Sequence, residues 1–396
     1  MIDFLVLEET QNVLNEYRDE TDLFRLRSAL RKRFSDDECV AITQQIVLRQ
    51  KGKNKFLFPD KMLFDREGYE QATHAAVAEY HAQFFSDSDT VLDICTGLGS
   101  DAVALSKKVE RVITLDIQAE RLALAAYNVS QLGNTERCTF VASSFELFES
   151  PRTVTALYAD PSRRSSGKRR IEPEDYSPTV SEVLALAERL NISDGKCLIK
   201  LAPACDYDEL LECGRIEVIS LDGEVKEVLF FLDAERAGEV TAVVLHNDDF
   251  MPQRVCQIDA SDEYYKKVSR PLTYVIEPDN AIIRAGVVNE LAQQFKGFFL
   301  QAQTAYLTSD TKGDEKGYRA YAVLDHFDFN AKKVKKYLKD KNITALSIKK
   351  RGVNETADEL QKRIGIKKGS NSLYLFVYRV GEKYKACLAE RAIVAV

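Results

Sequence analysis

The stretch Val91-Leu92-Asp93-Ile94-Cys95-Thr96-Gly97-Leu98-Gly99-Ser100-Asp101-Ala102 decides how this chain folds. An apolar run with strand character ends in a two-glycine turn, and helix-forming residues follow. Glycine lacks a Cβ, so such a turn lets the backbone come close to a ligand. Seventeen residues beyond Gly99, a second apolar run ends in Leu115-Asp116-Ile117. That spacing puts a carboxylate where it can accept hydrogen bonds from the two ribose hydroxyls of an adenosine. Strand, glycine turn, helix, strand and acid together describe a nucleoside pocket in a Rossmann-like α/β domain.

Outward from this point the pattern is short apolar runs alternating with helical segments, the mark of stacked βα units and a largely parallel sheet. Strands are expected at Thr90 to Ile94, Arg111 to Ile117, Cys138 to Val141, Val154 to Ala159, Lys196 to Leu201, Arg215 to Ser220, Glu227 to Leu232 and Thr241 to Leu245. Helices are expected at Ser100 to Lys108, Ala119 to Gln131 and Pro178 to Leu190. The α/β domain then spans residues 86–258, preceded by a helical module at 1–85. There, Leu23, Leu26 and Leu30 recur at spacings of three and four. The alanine-rich Tyr69 to Tyr80 reads as a packing helix leading into the first strand. Residues 259–316 read as a small α+β region with a helix over Ile282 to Phe295. Residues 317–396 read as a last α+β domain with a helix over Ala331 to Asp340.

Charge separates this last domain from the rest. The chain carries a formal charge of −7, yet residues 331–396 hold 17 Lys and Arg against 6 Asp and Glu. A basic end on an acidic body argues against indiscriminate nucleic-acid binding and for a dedicated basic module. Its lysines are Lys332, Lys333, Lys335, Lys336 and Lys339 on one helix, followed by Lys349, Lys350 and Arg351. A lysine-rich face that serves only solubility is the competing reading. No apolar stretch approaches the roughly 20 residues of a membrane span, and the N-terminus has no export-signal pattern, so the expected compartment is the cytoplasm. The eight cysteines are scattered without a Cys-x-x-Cys pair and there are four histidines, so reduced thiols and no metal site are expected.

Electrostatics narrows the nucleoside ligand. A dinucleotide pocket holds pyrophosphate on the positive N-terminus of the helix after the turn. Here Asp101 occupies that N-terminus and Asp93 lies close by, an arrangement that repels phosphate by about 1 kcal/mol or more on the helix-dipole scale. The third glycine of the dinucleotide pattern is replaced by Ala102. S-adenosylmethionine (SAM) has no phosphate and carries a sulfonium and an ammonium, so the acids favour it. Residues expected at this cofactor are Asp93, Cys95, Thr96, Gly97, Gly99, Asp101, Asp116 and Ile117, with Ser144 and Phe145 after the third strand. Capping acids around an ordinary tight turn are the alternative.

The fourth strand ends in Asp160-Pro161-Ser162-Arg163, at the carboxyl edge of the sheet where open α/β folds bind ligands. It resembles the Asp-Pro-Pro-aromatic motif of amino-group methyltransferases, in which the acid and a backbone carbonyl orient the target amine. Asp160, Pro161 and Arg163 are therefore the expected catalytic residues. Arg163, Arg164, Lys168, Arg169 and Arg170 place five positive charges in eight residues. They form either a phosphate-contacting loop or a solvated surface loop.

Taken in order, these pieces resemble a bacterial family of presumed RNA methyltransferases, common in the Bacteroidetes, with the class I methyltransferase fold, a ferredoxin-like insert and a THUMP-like C-terminal domain. The resemblance covers nearly the whole chain. It rests on Leu57-Phe58-Pro59 with Glu70-Gln71-Ala72-Thr73, on the Asp93 to Asp101 turn and on Asp160-Pro161-Ser162-Arg163. It extends to Ile276-Glu277-Pro278-Asp279 with Ile283-Arg284-Ala285-Gly286, and to Ile348-Lys349-Lys350-Arg351-Gly352. It implies that Gln71 and Thr73 line the methionine end of SAM and that the last domain presents structured tRNA or rRNA, with Lys349, Lys350 and Arg351 among its contacts. Many relatives have glycine where Cys95 stands. Rival expectations are a SAM-dependent enzyme acting on a protein or small molecule, and a non-catalytic RNA-binding protein that keeps a SAM pocket.

Overall fold

The computed structural model describes residues 2–149, 153–163, 172–261, 267–369 and 372–391, with only the backbone of Arg163. The chain forms two compact units. The first comprises Met1–Ile216, Lys226–Glu239 and His246–Gln253, and the second Glu217–Val225, Val240–Leu245 and Arg254–Val396.

The first unit begins with helices. Val13, Leu14, Leu26, Leu30, Cys39, Ile42 and Ile46 form a closed apolar cluster. The long helix Asp36–Gly52 starts at Ser35, whose hydroxyl and backbone exchange hydrogen bonds with Glu38 in a capping box. A second cluster joins Leu48, Phe56, Leu63 and Phe64 to Leu98 of the glycine turn and to Leu124. Asn128 is fully buried between them. Its side-chain amide donates to the carbonyls of Leu63 and Leu98, at 3.0 Å each, and accepts from the Leu63 N–H at 2.8 Å. One asparagine thereby ties the helical module to the turn.

The sheet strands of this unit run in the order Glu224–Leu232, Cys197–Leu201, Ala156–Ala159, Thr90–Ile94, Arg111–Asp116, Cys138–Ala142. All are parallel except Glu224–Leu232, which runs antiparallel to Cys197–Leu201. From Thr90–Ile94 the chain proceeds first to one side and later to the other, so this strand is the switch point where such sheets open a crevice. The helices Ser100–Lys108, Ala119–Leu132 and Val180–Arg189 connect the strands.

The second unit holds an eight-stranded sheet in which Tyr274–Pro278 pairs antiparallel with Tyr318–Asp328. Alternation along Leu373–Val380 sorts its residues between two cores. Leu375 and Val377 join Val334, Leu338, Leu360 and Ile364 of the helices, whereas Tyr374, Phe376 and Tyr378 join Tyr306 and Tyr321.

Three expectations about elements are corrected. The single helix over Tyr69 to Tyr80 is two, Arg66–Gln71 and Ala75–Ala82, because Ala72 leaves the helical region at ψ 143°. The single helix over Ile282 to Phe295 is two helices, Asn280–Arg284 and Val288–Gln294, because Gly286 adopts φ +77° between them. The strand Met251–Asp259 was not anticipated, since most of its residues are exposed and it has no apolar rhythm.

Candidate active site

At the switch point the backbone makes a tight turn in which Cys95, Gly97 and Gly99 all have positive φ, at +63°, +58° and +80°. Cys95 thus takes the left-handed conformation glycine usually supplies. Burial pushes its thiol pKa far up, and nearby Asp116, Asp160 and Asp93 add to the shift. The Gly97 N–H donates to Asp116 Oδ2 at 3.0 Å, and Asp116 Oδ1 accepts from the Gln118 N–H at 2.8 Å. The end of the second strand and the turn are therefore latched together through one carboxylate.

Thr96 Oγ1 donates toward the buried Asp93 carboxylate at 3.0 Å. Burial raises the Asp93 pKa well above the usual carboxylate range, and Asp101, Asp160 and Asp116 reinforce this against the Thr96 hydrogen bond.

Asp101, read from sequence as a charge facing the ligand, belongs to a buried network. It bonds His81 Nδ1 at 2.8 Å, while His81 Nε2 bonds Glu227 and Tyr158 Oη lies 3.2 Å from Nδ1. Burial alone would lower the His81 pKa. The Glu227 charge and the Asp101 hydrogen bond override it and raise the pKa to about 10. Burial likewise acts to raise Asp101, but the bond to His81 holds it below its ordinary value. Asp101 also bonds the Thr73 hydroxyl, which accepts from Lys200 Nζ at 3.0 Å. Lys200 in turn donates to Asp160 Oδ2 at 2.6 Å. Burial raises the Asp160 pKa, tempered by the Lys200 charge. A continuous polar chain therefore runs from Asp160 through Lys200 and Thr73 to Asp101, His81 and Glu227.

These groups border a cleft of about 960 Å³, lined by Gln71, Thr73, Cys95, Thr96, Gly97, Asp101, Asp116, Ile117, Ser144, Phe145, Asp160 and Pro161 among others. Asp93 and Gly99 hold the turn from behind. A Cβ at Gly99 would come 3.1 Å from that of Ala125. That volume lies at the upper end of the range for ligand clefts. The narrow left-handed turn, the carboxylate at Asp116 and the acids around it fit a nucleoside bearing a sulfonium.

Beyond Asp160 and Pro161, Ser162 and Arg163 pair antiparallel with Ser177 and Tyr176. Tyr176 lines the cleft, and its hydroxyl accepts from the Ala202 N–H at 2.9 Å. Arg164, Lys168, Arg169 and Arg170 lie outside the described residues, as does the side chain of Arg163. In the second unit, Lys349 donates to Glu277 at 2.6 Å and lies over the Tyr321 and Tyr374 rings. Lys350 donates to the Val353 carbonyl at 3.0 Å, and Arg351 stacks over Tyr306.

Sequence reading missed His81, Glu227, Tyr158 and Tyr176 as members of the site. The available signals were a histidine inside an alanine-rich helix and an acid opening an apolar strand. Among the described residues no cluster of three His, Cys, Asp or Glu side chains could hold a metal, and no helix is long and apolar enough to cross a membrane.

Comparison with known proteins places these features. The THUMP domain-like family matches residues 318–391. An uncharacterized S-adenosylmethionine-dependent methyltransferase of Mycobacterium tuberculosis is 29% identical over 366 residues, covering 89% of this chain and 96% of its own. The release factor glutamine methyltransferase of Rhodopirellula baltica is 31% identical over 135 residues, 29% of this chain and 45% of its own. Among solved structures, a presumed methyltransferase from Porphyromonas gingivalis W83 superposes with a TM-score of 0.78 at 20% identity, covering 98% of this chain and 99% of that one. The fold is the Rossmann-like one of class I methyltransferases, and the mycobacterial relative matched along most of the chain is named for dependence on S-adenosylmethionine. Within that class, this chain ends in a THUMP-like domain.

Proposed function

We propose that this enzyme methylates a base in structured RNA, a tRNA or rRNA, at an exocyclic amine. The observation that carries the reading is the THUMP-like match at residues 318–391 on a segment rich in exposed lysines. Lys332, Lys333, Lys335, Lys336 and Lys339 all project from the helix Ala331–Asp340, which buries only Val334 and Leu338. A basic module on a chain of net charge −7 is the footprint of a phosphate-binding surface. Lys349, Lys350 and Arg351 would shape that surface.

In this reading Asp116 receives the ribose hydroxyls, and Ile117, Ser144 and Phe145 border the adenine. Gln71 and Thr73 take the methionine end, against a turn built by Asp93, Cys95, Thr96, Gly97, Gly99 and Asp101. The bound cofactor supplies an electrophilic methyl on sulfur. Asp160 and the Pro161 carbonyl accept hydrogen bonds from the amine, so that its lone pair points along the line of displacement. As the methyl is taken up, Asp160 and solvent would receive the amine proton. Lys200 holds the carboxylate in place. Tyr176 offers an aromatic edge at the target end, where the Asp-Pro-Ser-Arg sequence lacks one. Arg163, Arg164, Lys168, Arg169 and Arg170 would grip substrate phosphates. Eight free cysteines suit a reducing compartment, and the cytoplasm is the proposed one.

The test is methyl transfer to RNA by wild type, by Asp160→Asn and by a variant with Lys332, Lys335, Lys336 and Lys339 changed to serine. Asp160→Asn should lose turnover while still binding S-adenosylhomocysteine. The lysine variant should raise the RNA KM and flatten its salt dependence. Unchanged RNA kinetics in the lysine variant would remove the basis for RNA. A protein amide is the second reading, favoured by the Rhodopirellula relative matched over 135 residues.

A further inference from the structure

Lys51, Lys55 and Lys226 line the same cleft as Asp160 and Pro161. They come from separate elements, the helix Asp36–Gly52, the segment after it and the strand Glu224–Leu232.

Lys55 is not an ordinary surface lysine. Its Nζ donates to the Tyr69 carbonyl at 2.7 Å and the Glu70 carbonyl at 3.4 Å, and it lies over the Phe56 and Tyr69 rings at 5.7 and 5.3 Å. Two of its three N–H donors are committed and the third remains for a ligand. Burial, followed by the Lys200 and Lys226 charges, lowers its pKa to about 8, with Asp160 and Glu70 opposing. An ammonium held among other ammonium groups is stabilised when an anion arrives.

We propose that Lys55 and Lys226, with Lys51 at the rim, form a phosphate subsite inside the cleft that takes a backbone phosphodiester flanking the target nucleotide. The inference rests on the RNA reading above and gives that reading a specific anchor beside the reacting atoms, within the first unit. Compact ammonium groups suit a phosphate as point charges, whereas no guanidinium fork is needed.

The test is equilibrium binding of a five-nucleotide single-stranded RNA, and of the same sequence with uncharged methylphosphonate linkages, to full-length protein saturated with S-adenosylhomocysteine. Wild type should bind the charged oligonucleotide with a salt dependence that Lys55→Met and Lys226→Met each flatten by about 0.7 in log–log slope. Lys55→Arg should retain the slope, and affinity for S-adenosylhomocysteine should stay within about twofold of wild type, a change well under the 1.4 kcal/mol of a tenfold loss. The methylphosphonate oligonucleotide should not distinguish the variants from wild type. Slopes unchanged in both methionine variants, or no binding by wild type at low salt, would overturn the proposal. A fall in S-adenosylhomocysteine affinity instead would assign the lysines to the cofactor's carboxylate and also overturn it. Because binding is read, a failure of methyl transfer to RNA would count against RNA methylation and leave this result separate.

Discussion

Gly97 and Gly99 sit two residues apart in one turn, yet adding a methyl group to each should fail in different ways. At Gly97, with φ +58°, a Cβ would find only the Cys95 carbonyl, at 3.8 Å. Gly97→Ala therefore carries the left-handed penalty of about 1–2 kcal/mol and no clash. Its methyl would project into the cleft, where the cofactor is proposed to lie. At Gly99, with φ +80°, the Cβ would lie 3.1 Å from Ala125 Cβ, 3.2 Å from its Cα and 3.3 Å from its carbonyl oxygen. Helix backbone cannot move aside as a side chain can, so Gly99→Ala adds about 1–3 kcal/mol of overpacking to the same backbone penalty. Urea unfolding followed by circular dichroism should thus show Gly97→Ala mildly destabilised and Gly99→Ala about 2–5 kcal/mol less stable. Calorimetric titration with S-adenosylhomocysteine should show Gly97→Ala weakened at least about tenfold, or 1.4 kcal/mol. Wild-type affinity in Gly97→Ala would refute the placement of the cofactor over this turn. Equal stability of the two variants would refute the packing argument.

Asp116→Ala removes the acceptor for two backbone N–H groups as well as the proposed ribose partner, so S-adenosylhomocysteine affinity should drop about 10- to 100-fold by calorimetry; a drop under twofold would contradict that role. Lys200→Met deprives Asp160 of its counter-ion, so the already raised pKa rises further and the acid limb of the kcat–pH profile should move up by about one pH unit; an unmoved limb would separate Asp160 from turnover. His81 has a folded-state pKa of about 10 against an ordinary 6.5. The charged form is therefore the stabilised one: its contribution is full below pH 6.5 and fades as pH rises toward 10. Proton–nitrogen correlation spectra should show both ring nitrogens protonated at pH 8, and a neutral imidazole there would contradict the two-carboxylate clamp.

The glycine turn was legible because everything that makes it lies within a dozen consecutive residues, where local periodicity and composition act directly. The helices Ser100–Lys108 and Ala331–Asp340 were legible for the same reason. What sequence reading could not supply is partnership across the fold. Asp101 looks like a bare charge at a helix start until His81, 20 residues upstream, and Glu227, 146 residues beyond His81, close around it. Lys349 looks like a free cation until Glu277, 72 residues earlier, meets it through the sheet. Alternation does not announce such pairs, because a buried charge occupies an apolar position without changing the period. Cys95 is the converse case. Its side chain suggested a departure from the turn, while its backbone adopts the left-handed angle a glycine would take.

The most direct test is transfer of label from radioactive S-adenosylmethionine, by purified protein, to total RNA from a strain lacking the gene and from its parent. The account predicts labelling of the deletion-strain RNA alone, because the parental sites are already methylated. Absence of label in both RNAs, from protein that still binds S-adenosylhomocysteine, would contradict RNA as the substrate.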